Sequence, residues 1–170
     1  MPDVRIEPWG EGDHDLLRRT NAPEMTRYLG GPETEEQLLA RHRRYVAGND
    51  MYRVVLLPGG DVVGSVGFWE REWRGGTVYA AGWGVLPEFQ GRGIAAAAAR
   101  AVIAAARAEG RHRELHAYPK IDNAPSNAVC RRAGFTLFGE FDFEYPKGNP
   151  IRCNDWCVEL SGSVGGSEGE

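Results

Sequence analysis

Six consecutive residues, Gln90-Gly91-Arg92-Gly93-Ile94-Ala95, have the types and spacing that an anionic ligand needs. They stand between an apolar run ending at Leu86 and an uninterrupted helix-forming stretch, residues 94–109. That order leaves the first N–H groups of the helix without intrahelical partners, and the helix dipole adds positive potential at the same end. Phosphate groups bind at such ends. Gly91 and Gly93 let an anion approach the backbone with no Cβ in the way. Arg92 adds a planar fork of donors. The plainer alternative is a loop that only caps a helix. A nucleotide-type phosphate loop fits poorly, because no Gly-Lys-Ser/Thr follows the glycines.

A second helix opening, with Pro125 in its first turn, begins at Asn123 and ends at Gly134-Phe135. Around these two openings the sequence reads as one α/β domain. Residues 4–9 suit a first strand and residues 13–21 a short helix. Thr34 with Gln37 three residues on makes a capping box for a helix reaching about residue 46, with Leu38, Leu39, His42 and Tyr45/Val46 as its inner stripe. Residues 51–57 and 61–69 suit a hairpin around Pro58-Gly59-Gly60. Residues 70–76 read as a charged turn, and residues 77–86 as the central strand. Gly82 and Gly84 inside that strand point to a bulge or to close approach of a backbone or ligand. Gly110 stops the alanine-rich helix. Residues 114–118 form a short strand, and residues 135–144 and 151–160 a final antiparallel pair. Strands alternating with helices in the second half imply a mixed sheet with helices on both faces. Residues 161–170 are a Gly/Ser/Glu tail with nothing to bury, so the domain spans residues 1–160.

The bulk numbers narrow the function. A chain of 170 residues with 42% hydrophobic and 26% charged residues fits one soluble domain. A net charge of −4 argues against nucleic acid as the main partner and suits a cationic amine. No run is long and apolar enough for a membrane span. Three cysteines without a secretion signal suit reduced thiols and a cytoplasmic location. Cys153 and Cys157 lack a second Cys/His pair at zinc spacing, so no metal is expected.

The two helix-opening blocks, in this order and separated by a strand, resemble the acyl-CoA-binding signature of the GNAT N-acetyltransferases. Gln90 to Ala95 is similar to the family's Gln/Arg-x-x-Gly-x-Gly/Ala loop. Asn123-Ala124-Pro125-Ser126 through Gly134-Phe135 is similar to its Asn-x-x-Ser/Ala segment. The resemblance covers residues 61–160 well and the N-terminal part by element order. Ser126-Asn127, the run Gly134-Phe135-Thr136-Leu137-Phe138-Gly139, and Glu144-Tyr145 look most like the ribosomal-protein alanine acetyltransferase branch, which also contains small-molecule enzymes.

The resemblance implies a single-domain GNAT fold, acetyl-CoA as co-substrate, and direct acetyl transfer to a primary amine. The acceptor would be a protein N-terminal α-amine or a small molecule. Gln90, Gly91, Arg92, Gly93, Ile94 and Ala95 would hold the pyrophosphate, with Arg131 (and Arg132) as a further phosphate contact. The backbone of Trp83, Val85 and Leu86 would line the pantetheine, and an N–H near Val85 would stabilise the oxyanion. Asn123 would bond the pantetheine arm or serve as a plain N-cap. Many family members have tyrosine where this chain has Cys130, so Ser126 is the candidate partner of the thioester sulfur. Its alternative is a polar first-turn residue. Homodimers occur in the family, but nothing in the sequence decides that state. A non-catalytic acyl-CoA sensor would keep the same loop without turnover.

The acceptor sets the demand for a base. A lysine-like amine at pH 7 is neutral about once in 2,500, a deficit of roughly 4.6 kcal/mol, whereas an α-amine lacks only about 1.4 kcal/mol. Many family members carry a glutamate on the central strand, and none lies between Gly75 and Leu86. Glu144 is the replacement the branch resemblance suggests, with a solvated strand-end charge as its alternative; Glu70 and Glu72 could line the acceptor site instead. His116 reads as a buried structural histidine. Trp69, Trp73 and Trp83 read as aromatic core or acceptor-pocket walls. The absence of a central-strand acid tilts the acceptor toward an α-amine.

Overall fold

Seven strands form one sheet in the order β1-β2-β3-β4-β5-β7-β6: β1 Val4–Pro8, β2 Met51–Leu56, β3 Asp61–Trp73, β4 Gly76–Val85, β5 Glu114–Ala117, β6 Thr136–Glu144 and β7 Pro150–Glu159. The structure, a computed structural model, describes residues 2–28, 30–144 and 147–160. The predicted tail, residues 161–170, and Tyr145 lie outside them. Every neighbouring pair of strands is antiparallel except β4 and β5. That parallel pair needs a crossover, which α4 (Ile94–Glu109) supplies.

The helices lie on both faces. Val66, Phe68, Tyr79, Ala81, Leu115 and Trp156 of the sheet pack on Ala98, Ala99, Val102 and Ala106 of α4 and on Cys130 and Ala133 of α5 (Ala124–Ala133). Small side chains let α4 lie close to the strands, and its hold is the sum of many methyl burials of about 0.8 kcal/mol each. Gly110 and Gly134 end α4 and α5 in left-handed conformation, at φ 70° and 100°. On the opposite face a smaller cluster joins Trp9 to Leu16 and Leu17 of α1 (His14–Thr20), Leu38 of α3 (Glu35–Ala47) and Leu86. The Thr34–Gln37 capping box forms in both directions, at 3.1 and 2.8 Å.

Two expectations need correction. The residues 70–76 turn is strand: β3 and β4 pair from Gly64↔Val85 to Trp73↔Gly76, leaving only Arg74-Gly75 to turn, with positive φ at both. Leu39 is 37% exposed, because α3 packs on α1 and the Trp9 cluster with Leu38 and His42 buried and Tyr45 and Val46 half-buried, leaving Leu39 outside that stripe. The stretch between the first helix and Thr34, to which the sequence assigned no element, holds a further short helix, α2 (Pro23–Thr26). Among the described residues no helix is long and apolar enough to cross a membrane.

Candidate active site

The parallel strands β4 and β5 are joined only at Tyr79↔Leu115 and Ala80↔His116. Beyond Ala80, β4 stays paired to β3 as far as Val85, while β5 stays with β7 through Ala117↔Trp156 and a further bridge at Lys120↔Cys153. The two strands therefore part, and a gap opens between residues 81–85 and the chain after Ala117. The Leu86 N–H bonds the Val63 carbonyl at 2.8 Å. By strand alternation the N–H groups of Val85 and Trp83 then face the gap. Their side chains do not: Val85 is buried under α4, and Trp83 leans on Phe135 with ring centroids 6.2 Å apart.

At the mouth of the gap a tight turn, Pro87–Phe89, leads into the glycine loop. The Gln90 side-chain amide donates to the Val85 carbonyl at 2.8 Å, tying the loop to the strand end, so Gln90 offers a ligand its backbone. Gly91 and Gly93 both take φ 81°, which favours glycine. Pro2 sits where a Gly93 Cβ would meet it at 3.4 Å. The first bond within α4 runs from Ala97 N–H to the Gly93 carbonyl, so the N–H groups of Ile94, Ala95 and Ala96 are free of the helix ladder. Arg92 lies in the loop, over the Phe89 ring at 5.4 Å.

The other wall is the start of α5. Asn123 is its N-cap: its Oδ1 accepts the Ser126 N–H at 3.2 Å. Ser126 stands half-buried in the first turn. Arg131 is exposed and lies over Trp156, 5.5 Å from the ring centre. Cys130 is fully buried, and burial pushes its thiol up to about 12, so it packs and does no acid chemistry. Sequence reasoning missed the centre of this wall. Asn127 donates to the carbonyls of Lys120 (3.0 Å) and Asn123 (2.8 Å) and accepts from Asn154 (2.8 Å) and the Trp156 indole (2.7 Å). A buried asparagine inside a helix is the signal that such a network exists.

The sheet face opposite α4 differs. Register places Val78, Ala80, Gly82 and Gly84 of β4 on this face beside Trp69, Arg71 and Trp73 of β3. Met25 of α2 covers Gly84, 3.5 Å from its Cβ position, and Trp69 covers Gly82. The Arg71 guanidinium is held over Trp73, Tyr118 and Phe143 at 5.2, 4.5 and 4.7 Å. Lys120 lies 6.0 Å from the Tyr28 ring. The alternation Trp69-x-Arg71-x-Trp73 was the available signal for this surface. The Tyr118 hydroxyl is buried with no hydrogen-bond partner among the described residues, and burial raises its pKa. Trp73, Tyr118 and Phe141 thus form an aromatic cluster on this face, while Trp83 packs against the core of the other.

The carboxylates lie apart from the gap or are engaged. Glu144 is exposed at the end of β6 and accepts the Gly148 N–H at 3.4 Å. Glu70 sits opposite Tyr79, toward the start of β4, and pairs with His112 (2.8 Å) and Arg111 (2.6 Å); the His112 bond, then the Arg111 charge, hold its pKa low. Glu72 accepts from Thr77 at 2.9 Å. A polar hollow of about 270 Å³, lined by Asn49, Asp50, Glu70, Glu109 and Arg111 among others, is at that same end and is separate from the gap. His116 is buried between Asp155 (2.6 Å) and Glu114 (2.9 Å), as a structural histidine would be.

Parted parallel strands with bare helix N–H groups at their mouth define an acyl-CoA site. The chain belongs to the GNAT acetyltransferase family: the family model described as acetyltransferase (GNAT) domain matches residues 3–136. Its activity class is acetyl-CoA-dependent N-acetyl transfer, with acetyl-CoA as co-substrate. Solved structures share the fold. A GNAT-family acetyltransferase from Bacillus anthracis matches with TM-score 0.79 at 21% identity, covering 94% of this chain and 97% of that one. A spermidine N-acetyltransferase from Vibrio cholerae, in complex with CoA and spermine, matches with TM-score 0.75 at 15% identity, covering 95% and 98%. The Salmonella typhimurium protein yncA, with its cofactor acetyl-CoA, matches with TM-score 0.69 at 20% identity, covering 93% and 94%. No curated protein matches.

Proposed function

We propose that the acetyl acceptor is an amine of low basicity, a protein N-terminal α-amine or a small-molecule α-amine, and not a polyamine. One observation carries this. The acceptor-side face of β4 itself presents Val78, Ala80, Gly82 and Gly84, with no titratable side chain; Arg71 and Lys120 lie among the surrounding aromatics, and His116, which shares this face beside Ala80, has both ring nitrogens engaged by Asp155 and Glu114. A strand face without a free base suits an amine with a deficit of about 1.4 kcal/mol at pH 7 better than one with about 4.6. Two cations at the rim oppose the approach of a polycation.

In this proposal the pyrophosphate lies on the backbone of Gln90, Gly91, Arg92, Gly93, Ile94 and Ala95, with Arg92 and Arg131 as side-chain partners. The pantetheine follows the gap-facing backbone of Trp83 and Val85 to Leu86, and Asn123 stands beside it. The amine lone pair attacks the thioester carbonyl, and the oxygen gains charge against the Val85 N–H. Collapse expels the CoA thiolate, to which the Ser126 hydroxyl donates. A thiol of pKa about 8.5 leaves without obligatory protonation near neutral pH. The amine proton passes to solvent, and Glu144, exposed at the end of β6, is not required as a base. The Ser126-Asn127 pair supports placement in the ribosomal-protein alanine acetyltransferase-like branch. Three unpaired thiols support a reducing, cytoplasmic setting.

Thiol release from acetyl-CoA tests the proposal against N-terminal Ala and Ser peptides, free amino acids, lysine peptides, spermidine and aminoglycosides, with a no-amine control. The expected result is turnover with α-amines. A kcat/KM for spermidine equal to or above that of every α-amine would overturn it.

A further inference from the structure

We propose that Glu114, His116 and Cys157 form a binding site for a thiophilic divalent cation, with Zn2+ as the reference ion. The site belongs to the β5–β7 seam and is independent of the acceptor assignment. Strand alternation places Glu114 and His116 on one face of β5, and antiparallel register sets Cys157 of β7 directly opposite His116. One oxygen, one nitrogen and one sulfur from these residues all lie within 4.8 Å of one another. Tetrahedral zinc, with bonds of about 2.0–2.3 Å, wants its donors about 3.3–3.7 Å apart. The partly exposed Glu114 side chain is the one with room to rotate toward the other two donors.

The surroundings have the form that metal-bound histidine requires. The Nε2 atom of His116 faces Glu114 Oε1 at 2.9 Å, while Nδ1 is held by Asp155 Oδ1 at 2.6 Å. A carboxylate on the far ring nitrogen is the arrangement that orients a ligating imidazole and raises its basicity. Asp155, His116 and Cys157 are 2, 2 and 4% exposed, so three of the four groups are rigidly packed. The Glu114 side chain is 41% exposed and gives an ion a route in and a place for water as fourth ligand. Two carboxylates flank one imidazole and a thiol here, a balance that a dication completes. Cys153 and Cys157, four residues apart on one strand and so about 13 Å from each other, cannot chelate one ion, in keeping with the sequence reading against that pair.

Cobalt tests the site because its thiolate complexes absorb in the near ultraviolet and its tetrahedral complexes in the visible. The full chain, freed of metal with a chelator, is titrated with Co2+ and then with Zn2+. One equivalent of Co2+ with a sulfur charge-transfer band, bleached by one equivalent of Zn2+, is expected. Cys157→Ser should abolish the band and Cys153→Ser should keep it. Asp155→Asn should weaken binding about 10–100-fold, the effect of losing an outer partner. Glu114→Gln, at a partly exposed position, weakens binding in a protein that still folds. No band at about 1 mM Co2+, a concentration that fills even weak sites, would overturn the proposal. So would a band that survives Cys157→Ser.

Discussion

The helices α4 and α5 begin in the same topological place, each just after one of the two parallel strands, yet their first turns are built in opposite ways. At α4 the cap is Gly93, which has no side chain to offer, and three N–H groups are left outside the ladder. At α5 the Asn123 side chain takes the Ser126 N–H, and Asn127 consumes the carbonyls of Lys120 and Asn123. One end is open to an anion and the other is closed by its own residues. The dipole of a helix is thus only a potential binding site, and the cap decides whether it is used. The pair together explains the gap. The loop at α4 is held to β4 by Gln90, and the loop before α5 is held to β7 by Asn127, so each strand end is anchored away from the other.

Gly93→Val tests the open end and should have the largest effect. The residue sits at φ 81° with Pro2 behind it. A β-branched side chain there costs about 1–2 kcal/mol in backbone strain and displaces the free N–H groups. Losing two charge-assisted bonds of about 1.5–3 kcal/mol each predicts at least a roughly hundredfold rise in the acetyl-CoA dissociation constant, read by calorimetry. Unchanged binding would break the contrast between the two ends. Asn127→Ala tests the closed end and should act on stability instead. It strands a buried indole N–H, and an expected loss of about 2–4 kcal/mol appears as a lower urea midpoint. Acetyl-CoA affinity, measured well below that midpoint, should hold.

Ser126→Ala sharpens the contrast, because Ser126 sits at the closed end but is assigned a role in the transition state. About a tenfold fall in kcat with KM for acetyl-CoA unchanged is expected from one hydrogen bond to a charged sulfur. A fall in stability alone would return it to the structural side. Asn123→Ala has the smallest effect, about 1 kcal/mol of stability from the lost cap. If KM for acetyl-CoA rises as well, the Asn123 side chain reaches the ligand, and the closed end is closed only on one side.

Both helix openings were legible in the sequence, as were the Thr34 capping box, the hairpin at Pro58-Gly59-Gly60 and the left-handed stops at Gly110 and Gly134. Each rests on dihedral preferences and hydrogen bonds among residues a few positions apart, so a short stretch contains all of its cause. The inner stripe of α3 was legible only in part: periodicity gives the face, but how wide a face is buried depends on what the helix meets, and Leu39 meets solvent. The strand reaching Trp73 was obscured by the charges of residues 70–74, which pair across the hairpin and with Arg111.

What the sequence by itself determined was the family, the element order and the loop that receives the co-substrate, because these are local patterns. What only the tertiary structure decided was where β4 leaves β5, how Arg71 comes to lie among Trp73, Tyr118 and Phe143, and that Cys157 faces His116 and Glu114. Apart from the neighbours on one strand, Arg71 with Trp73 and Glu114 with His116, those juxtapositions join residues 36 to 72 positions apart through the register of the sheet. Register is a property of paired strands, fixed jointly by which faces are buried and which turns connect them, and no single segment contains it.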